Sequence, residues 1–172
     1  MTEQARILVI DDDDSVRKVL KSALEGEGYE VDTAENGKKA IEKSRAKFYN
    51  LALIDIRLPD MEGTKLLGEL KETTPKMVKI IVTGYPSLQN AIAAVKLGAN
   101  DYVVKPFKME GVLDTVRQNL KKQQEERKYS EDRVAEFIET RLDELNTGKT
   151  SRGVPADGPK GKSKTKTRAR HK

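Results

Sequence analysis

The sequence contains no cysteine among its 172 residues, which excludes disulfide bonds and metal sites built from thiolates. It also has no apolar stretch close to the roughly 20 residues that a membrane-spanning helix needs. Residues 1–4 lead directly into a predicted strand, so we expect no signal peptide. Together these absences predict a cytoplasmic protein.

Glycine is missing from a turn in which one common class of protein requires it. The first apolar run, Ile7–Ile10, is followed by Asp11–Asp14 and Ser15. Dinucleotide-binding folds carry a glycine-rich fingerprint at this turn, because the backbone must approach the pyrophosphate closely. The sequence therefore argues against dinucleotide binding.

The net charge of +5 at pH 7 is unevenly distributed along the chain. Residues 148–172 contain nine Lys or Arg and one Asp, a net charge of +8, so residues 1–147 carry −3. Charge gives no support for nucleic-acid binding by the main part of the chain. The basic character belongs to the tail, in which every second residue from Lys160 to Lys172 is basic.

Strand and helix signals alternate five times up to about Gln124. Short apolar runs such as Ile7–Ile10 and Leu51–Ile54 are typical of buried parallel strands, and helical stripes separate them. The pattern predicts an α/β fold of the flavodoxin-like (βα)5 type, a doubly wound five-stranded parallel sheet in the order 2-1-3-4-5. The second strand, Tyr29–Thr33, alternates polar and apolar residues, as expected at a sheet edge.

Three regions are predicted along the chain. Residues 1–124 form the α/β domain, and residues 125–147 form an amphipathic helical extension in which Ser130 caps a sixth helix. Residues 148–172 are rich in Gly, Pro, Ser, Thr and Lys, which predicts a disordered basic tail.

The helical extension carries an apolar stripe that needs a cover. A helix of about 16 residues is marginal alone in water. We therefore expect it to fold back on the domain, to pair with a second copy in a homodimer, or to dock on another protein. The stripe consists of Val134, Phe137, Ile138, Leu142 and Leu145.

Polar side chains follow four of the predicted strands. Asp11 and Asp12 come after the first, Asp55 after the third, and Thr83 and Lys105 end the fourth and fifth. The carboxyl ends of parallel strands share one edge, where ligands bind. Carboxylates gathered there repel one another, so a hard divalent cation, most simply Mg²⁺, is expected. Such a set suits phosphoryl transfer, in which a carboxylate can be the nucleophile.

Four stretches in this order resemble the response-regulator receiver family over roughly residues 5–124. They are Ile7–Asp12, Asp55–Gly63, Val82–Tyr85 and Gly98–Phe107. The resemblance implies a two-component signalling protein. It would accept a phosphoryl group from a sensor histidine kinase and then switch the binding of an unknown downstream protein.

The resemblance also implies which residues hold the metal. Asp55 would be the phosphoacceptor and a ligand of Mg²⁺. Asp12 would be a direct ligand, and Asp11 would act mainly through water. The backbone carbonyl of Arg57 would be the third protein ligand.

Three further residues take roles from the same resemblance. Thr83 and Lys105 would bind the phosphoryl oxygens, and the Lys105–Pro106 bond is expected to be cis, at the modest cost that proline allows. Tyr102 matches the aromatic switch position of the family. A strand tyrosine is also common as a packing residue, so both roles stay open here.

Other acidic and exposed residues have simpler interpretations. Asp13 and Asp14 are interpreted as a helix cap and a solvated first-turn acid rather than ligands. Arg57 and Tyr85 each lie two residues after a site residue. They could shield an acyl phosphate from water, or they could be variable surface residues.

Two other functions compete with the phosphorylation switch. A Mg²⁺-dependent phosphatase with an aspartyl intermediate would carry a second acid two residues after its nucleophile. That position is Arg57, so we expect no enzyme. The basic tail could bind nucleic acid without sequence reading under control of the receiver, or it could serve only solubility.

Overall fold

The computed structural model describes residues 3–147 and contains one five-stranded sheet. All neighbouring strands are parallel, in the order β2-β1-β3-β4-β5. This confirms the predicted doubly wound fold and the edge position of the second strand. The strands are β1 (Arg6–Ile10), β2 (Glu30–Ala34), β3 (Leu51–Ile54), β4 (Val78–Thr83) and β5 (Asp101–Val104).

Five helices follow the strands one by one. Asp13 caps the first helix by accepting hydrogen bonds from the N–H groups of Ser15 and Val16, as its interpretation as a cap predicted. Asn36 caps the second helix in the same way. The helices are α1 (Asp14–Gly26), α2 (Gly37–Ala46), α3 (Gly63–Glu69), α4 (Leu88–Lys96) and α5 (Met109–Asn146).

The sheet is buried on both faces, because alternate side chains of each strand point to opposite sides. Leu8 and Ile54 belong to a core cluster with residues of α2, α3 and α4. Val9 and Leu53 belong to a second cluster with residues of α1 and α5. Helices on both faces leave the carboxyl edge of the strands to the loops, which carry the site.

The fourth helix leaves large apolar side chains exposed. Leu88 is 77% exposed and Val95 is 69% exposed, whereas Ala94 is buried. A short helix that packs through a small residue lies close to the sheet and leaves its larger apolar side chains in solvent.

The carboxyl-terminal helical extension is present, but it does not begin a new helix. The prediction that Ser130 caps a sixth helix is wrong, since α5 runs without interruption from Met109 to Asn146. Residues 112–147 include neither Gly nor Pro, and Glu, Lys, Arg and Gln have high helix propensity. An ion pair between Arg127 and Glu131, 3.0 Å long, spans the predicted boundary.

The chain separates into two compact units, residues 1–132 and residues 133–172. The described part of the second unit, residues 133–147, is helical up to Asn146. The predicted disordered tail, residues 148–172, lies outside the described residues, and the proposed region boundaries stay predictions. Within residues 3–147, no helix combines the length and the apolar character that crossing a bilayer requires.

Candidate functional site

Two buried aspartates meet at the carboxyl edge of the sheet. Asp11 follows β1 and is 2% exposed, and Asp55 follows β3 and is 7% exposed. The N–H of Asp55 donates a 2.9 Å hydrogen bond to the carbonyl of Ile10, which ties the two strand ends together. Asp12 is exposed beside them. The three aspartates can each offer an oxygen within 4.8 Å of the others, so the fold assembles the predicted acidic cluster.

Lys105 reaches across this cluster from the end of β5. Its ammonium lies 2.6 Å from Oδ2 of Asp11 and 3.3 Å from Oδ2 of Asp55. Its backbone N–H donates to the carbonyl of Thr83 over 2.8 Å, and the Lys105–Pro106 bond is cis, as expected. The ammonium therefore sits as a counter-ion between the two buried carboxylates.

The titration behaviour of the cluster follows from burial and mutual charge. Burial, and then the negative charge of Asp11, raise the pKa of Asp55, although Lys105 opposes this. Burial alone would lower the pKa of Lys105, but its hydrogen bond and attraction to Asp11, and then to Asp55, raise it overall. The site thus has an excess of negative charge that a cation relieves.

The loop after β1 is held by two contacts to Asp11. The N–H of Asp13 donates to Oδ1 of Asp11 over 2.9 Å. The guanidinium of Arg17, with a side chain 13% exposed, donates to the main-chain carbonyl of Asp11 over 2.7 Å. Sequence reasoning missed Arg17, because a contact between a side chain and a main-chain carbonyl leaves no signal in residue type or spacing.

The loop after β3 is fixed at both ends. The N–H of Gly63 donates to the carbonyl of Ile56 over 2.6 Å, and a Cβ at Gly63 would collide with the main chain of Asp55. Asp60 accepts hydrogen bonds from the N–H groups of Gly37 and Lys38 at the start of α2, both 2.9 Å long. These backbone donors lower the pKa of Asp60. Gly63 and Asp60 therefore shape the loop.

Arg57 and Tyr85 are brought together at the rim of the site. The N–H of Arg57 donates to Oδ1 of Asp55 over 3.2 Å, while its guanidinium lies 3.5 Å from the centre of the Tyr85 ring. The N–H of Tyr85 donates to the hydroxyl oxygen of the buried Thr83 over 3.1 Å. The cation–π contact joins the loops after β3 and β4. Shielding of an acyl phosphate by this pair stays a prediction.

Tyr102, the predicted switch residue, faces the core rather than the acidic cluster. Its ring packs against the cluster of Leu66, Ile81 and Ala94, and its hydroxyl is enclosed. Burial raises the pKa of the Tyr102 phenol.

The donor set at this edge fits a hard divalent cation. The carboxylates of Asp11, Asp12 and Asp55 lie close enough together to share one ion. Arg57 lies two residues after Asp55 in the loop after β3, and its N–H donates to the Asp55 carboxylate. The excess negative charge supports the same conclusion.

Comparison with known proteins identifies the family of this fold and site. The family model for the response regulator receiver domain matches residues 7–117. The chain belongs to the response regulator receiver family. A crystal structure of a CheY-like response regulator receiver domain protein from Methanospirillum hungatei is 42% identical, with a TM-score of 0.69, and the match covers 72% of this chain and 99% of that one.

Longer relatives contain a similar receiver domain. Over 118 residues the chain is 42% identical to the transcriptional regulatory protein ZraR of Klebsiella oxytoca, covering 69% of this chain and 27% of ZraR. It is 38% identical over 120 residues to the DNA-binding transcriptional regulator NtrC of Escherichia coli, covering 70% and 26%. The chain thus spans about a quarter of the length of these relatives. The receiver homology confirms the prediction of two-component phosphorelay signalling.

In this receiver domain the structure gathers most of the predicted site residues. Asp11, Asp12, Asp55 and Lys105 lie in one cluster. Thr83 ends β4 next to β3 and is fully buried at the same edge. His171, the only histidine, lies outside the described residues.

Proposed function

We propose that this receiver domain is a phosphorylation switch in which a sensor histidine kinase donates a phosphoryl group to Asp55 with Mg²⁺ bound. The observation that supports it most strongly is the ammonium of Lys105, held 2.6 Å from Asp11 and 3.3 Å from Asp55. A carboxylate, a cation and room for a metal at one strand edge are the elements that phosphoryl transfer needs.

Asp55 is the nucleophile in this proposal. A bond forms between one of its carboxylate oxygens and phosphorus, while the bond between phosphorus and the kinase imidazole nitrogen breaks. The product is an acyl phosphate. The loop contacts of Gly63 and the N–H of Arg57 hold the carboxylate in place for this in-line attack.

The other residues of the cluster would bind the metal or the phosphoryl group. Asp12, Asp55 and the carbonyl of Arg57 would hold Mg²⁺, with Asp11 acting through water. When bound, Mg²⁺ supplies neutralisation of charge on the phosphoryl oxygens. Lys105 would leave its position between Asp11 and Asp55 and pair with the phosphoryl group, and the Thr83 hydroxyl would donate to it.

When Lys105 exchanges the two carboxylates for the phosphoryl group, the surface of the domain would change. Movement of Thr83 and Lys105 would pull on the ends of β4 and β5, and Tyr102 of β5 packs against the core cluster that includes Ala94 of α4. The exposed apolar side chains of α4, Leu88 and Val95 among them, would then be presented differently to a partner. The output is a binding event, so we propose a regulator rather than an enzyme, with an unnamed downstream protein.

Treatment with a small-molecule phosphodonor tests the proposal directly. Intact mass should increase by one acid-labile phosphoryl group only when Mg²⁺ is present, and a pull-down should retain different proteins with and without phosphate. Equal modification without Mg²⁺, or turnover of a generic phosphate ester, would point to different chemistry.

Lys105→Met should separate phosphorylation from its response. Without the ammonium, the carboxylates of Asp11 and Asp55 repel each other unopposed, so the metal-free protein should melt at a lower temperature. Mg²⁺ affinity should not fall and should rise if it changes, because Lys105 is a competing counter-ion of the carboxylates rather than a ligand of the metal. Calorimetry gives both quantities.

The same variant should still be phosphorylated but should lose most of the phosphate-dependent change in partner retention. Lys71→Met removes an exposed lysine between α3 and β4, outside the site and outside α4, and serves as the matched control. A full response in Lys105→Met would show that another group transmits the change.

A second candidate function is binding of nucleic acid by residues 148–172, favoured by their net charge of +8. Evenly spaced cations bind polyphosphates through counter-ion release, which is strongly salt-dependent. Deletion of residues 148–172 should therefore abolish retention on immobilised DNA at low salt and leave phosphorylation unchanged. Retention that survives deletion, or that does not fall when salt rises from about 50 to 200 mM, would contradict a role of the tail.

A further inference from the structure

The second half of α5 presents an apolar stripe to solvent. Each of its side chains is at least half exposed, from 50% for Ile138 to 73% for Leu145. Exposure of five large apolar side chains on one helical face marks an interaction surface. The stripe consists of Val134, Phe137, Ile138, Leu142 and Leu145.

Charged residues share a strict heptad spacing in the sequence with three residues of the stripe. The positions alternate in steps of four and three residues, which is the spacing of a coiled-coil seam. Three of the six are charged and three are apolar. They are Arg127, Glu131, Val134, Ile138, Arg141 and Leu145.

When two copies of this helix are placed antiparallel, the six positions of one copy match the six positions of the other. Glu131 and Arg141 each lie five positions from residue 136, and Val134 and Ile138 each lie two positions from it. An antiparallel pair of identical helices centred there sets Glu131 against Arg141 of the second copy. It also sets Val134 against Ile138.

The residues at the two ends of such a pair can also pack against each other. Arg127 faces Leu145 of the second copy, over which the aliphatic stem of an arginine can pack while its guanidinium stays in water. Phe137 and Leu142 flank the seam and become covered. An antiparallel pair thus buries the whole stripe and opposes each seam acid with a base.

A parallel pair of these helices would place like charges opposite each other. Each residue would face its own copy, so Arg127, Glu131 and Arg141 would each meet a like charge inside the seam. Juxtaposed like charges at an interface strongly disfavour association. A generic apolar partner would leave Glu131 and Arg141 without opposing charges across the interface.

We infer that residues 127–145 pair with the same helix of a second copy of this chain in an antiparallel coiled coil. In the single chain, Glu131 pairs with Arg127 over 3.0 Å and Arg141 with Glu144 over 3.1 Å, both on the exposed surface. In the pair, Glu131 and Arg141 gain each other across the seam. The assembly does not depend on phosphorylation of Asp55, so its failure and that of the proposed function are distinguishable.

Sedimentation velocity of the full unphosphorylated chain without Mg²⁺ tests the pairing. The mass should rise with concentration from 19.3 kDa toward twice that value. Glu131→Arg and Arg141→Glu should each weaken association at least about 10-fold, because each sets like charges opposite each other. The combined swap should restore it to within about threefold, since the complementarity is recovered in reverse.

Glu136→Arg changes charge by the same amount on the outer face of the helix and should leave association unchanged. Circular dichroism should show equal helix content in all variants. A chain that stays at 19.3 kDa up to about 0.5 mM, or a double swap that fails to recover, overturns the inference.

The absence of cysteine allows the orientation to be tested by cross-linking. A mixture of Val134→Cys and Ile138→Cys chains should oxidise mainly to the mixed disulfide, because these positions face each other. Val134→Cys alone should cross-link poorly, since the two copies of residue 134 are offset along the axis by about four residues, or 6 Å. Equally efficient cross-linking of Val134→Cys with itself would show a parallel pair and overturn the proposed orientation.

Discussion

Asp55→Asn should lose phosphorylation almost completely, with a rate from a small-molecule phosphodonor lower by roughly 10³-fold or more, since removing a covalent nucleophile costs at least that much. The amide keeps the size of the carboxylate and can still accept from the N–H of Arg57. The fold should therefore persist. The measurement is the rate at which intact mass gains one phosphoryl group in the presence of Mg²⁺.

The same substitution removes one of two buried carboxylates that repel each other. Since burial and Asp11 raise the pKa of Asp55, its ionised form is disfavoured in the fold. The metal-free variant should consequently melt at a higher temperature than the parent at neutral pH. A stable, well-folded variant with no phosphate would separate loss of chemistry from loss of structure.

Asp60→Asn is the matched control for this prediction. Asp60 lies in the same loop, but its carboxylate binds the backbone of Gly37 and Lys38 rather than the cluster. The asparagine keeps only one of the two acceptor oxygens, so phosphorylation should slow modestly but stay far faster than in Asp55→Asn. If Asp55→Asn gains phosphate as fast as Asp60→Asn, the acceptor is another residue.

Asp12→Ala should weaken Mg²⁺ binding by at least about 10-fold, because it removes a hard, charged oxygen ligand from a site with few protein ligands. Asp12 is exposed, so its truncation opens no cavity in the core. Without metal the variant should be as stable as the parent or slightly more stable, since one carboxylate fewer crowds the edge. Isothermal titration calorimetry and thermal melts measure the two effects.

Asp13→Asn provides the charge-matched control. It removes the same charge one residue further along, and asparagine caps a helix about as well as aspartate. Its Mg²⁺ affinity should stay within about threefold of the parent, the general effect of one nearby charge in water. Equal weakening in both variants would mean that Mg²⁺ responds to the total charge and not to ligation by Asp12.

The arrangement of the acidic cluster could be predicted because parallel sheets impose it. Continuous apolar runs identify buried strands, and the residue after each run must lie at the carboxyl edge. Asp11, Asp55 and Lys105 were placed there from their positions after three such runs. The spacing of these residues along the chain did not show which of their atoms are in contact. The ammonium of Lys105 and the carboxylate of Asp11 are 94 residues apart along the chain, and only packing brings them to 2.6 Å.

The extension shows where local sequence patterns compete. Ser130 followed by two acids has the composition of a helix start, but such residues are also tolerated inside a helix when no tertiary contact favours the break. Strong helix formers on both sides of Ser130 continue α5 through this position. The pattern predicted the helical extension correctly but placed its start wrongly. A residue caps a new helix only if the residues before it are not helical, and here they belong to α5.

The sequence by itself determined the fold class, the strand order and the edge at which the acids collect, since these follow from apolar runs and their alternation with helices. Only the tertiary structure decided the contact of Arg17 with the Asp11 carbonyl, the stacking of Arg57 on Tyr85 and the close approach of Gly63 to Asp55. Those contacts join residues from different loops or involve the main chain. Their distances depend on how helices and loops pack, which residue type and spacing do not encode.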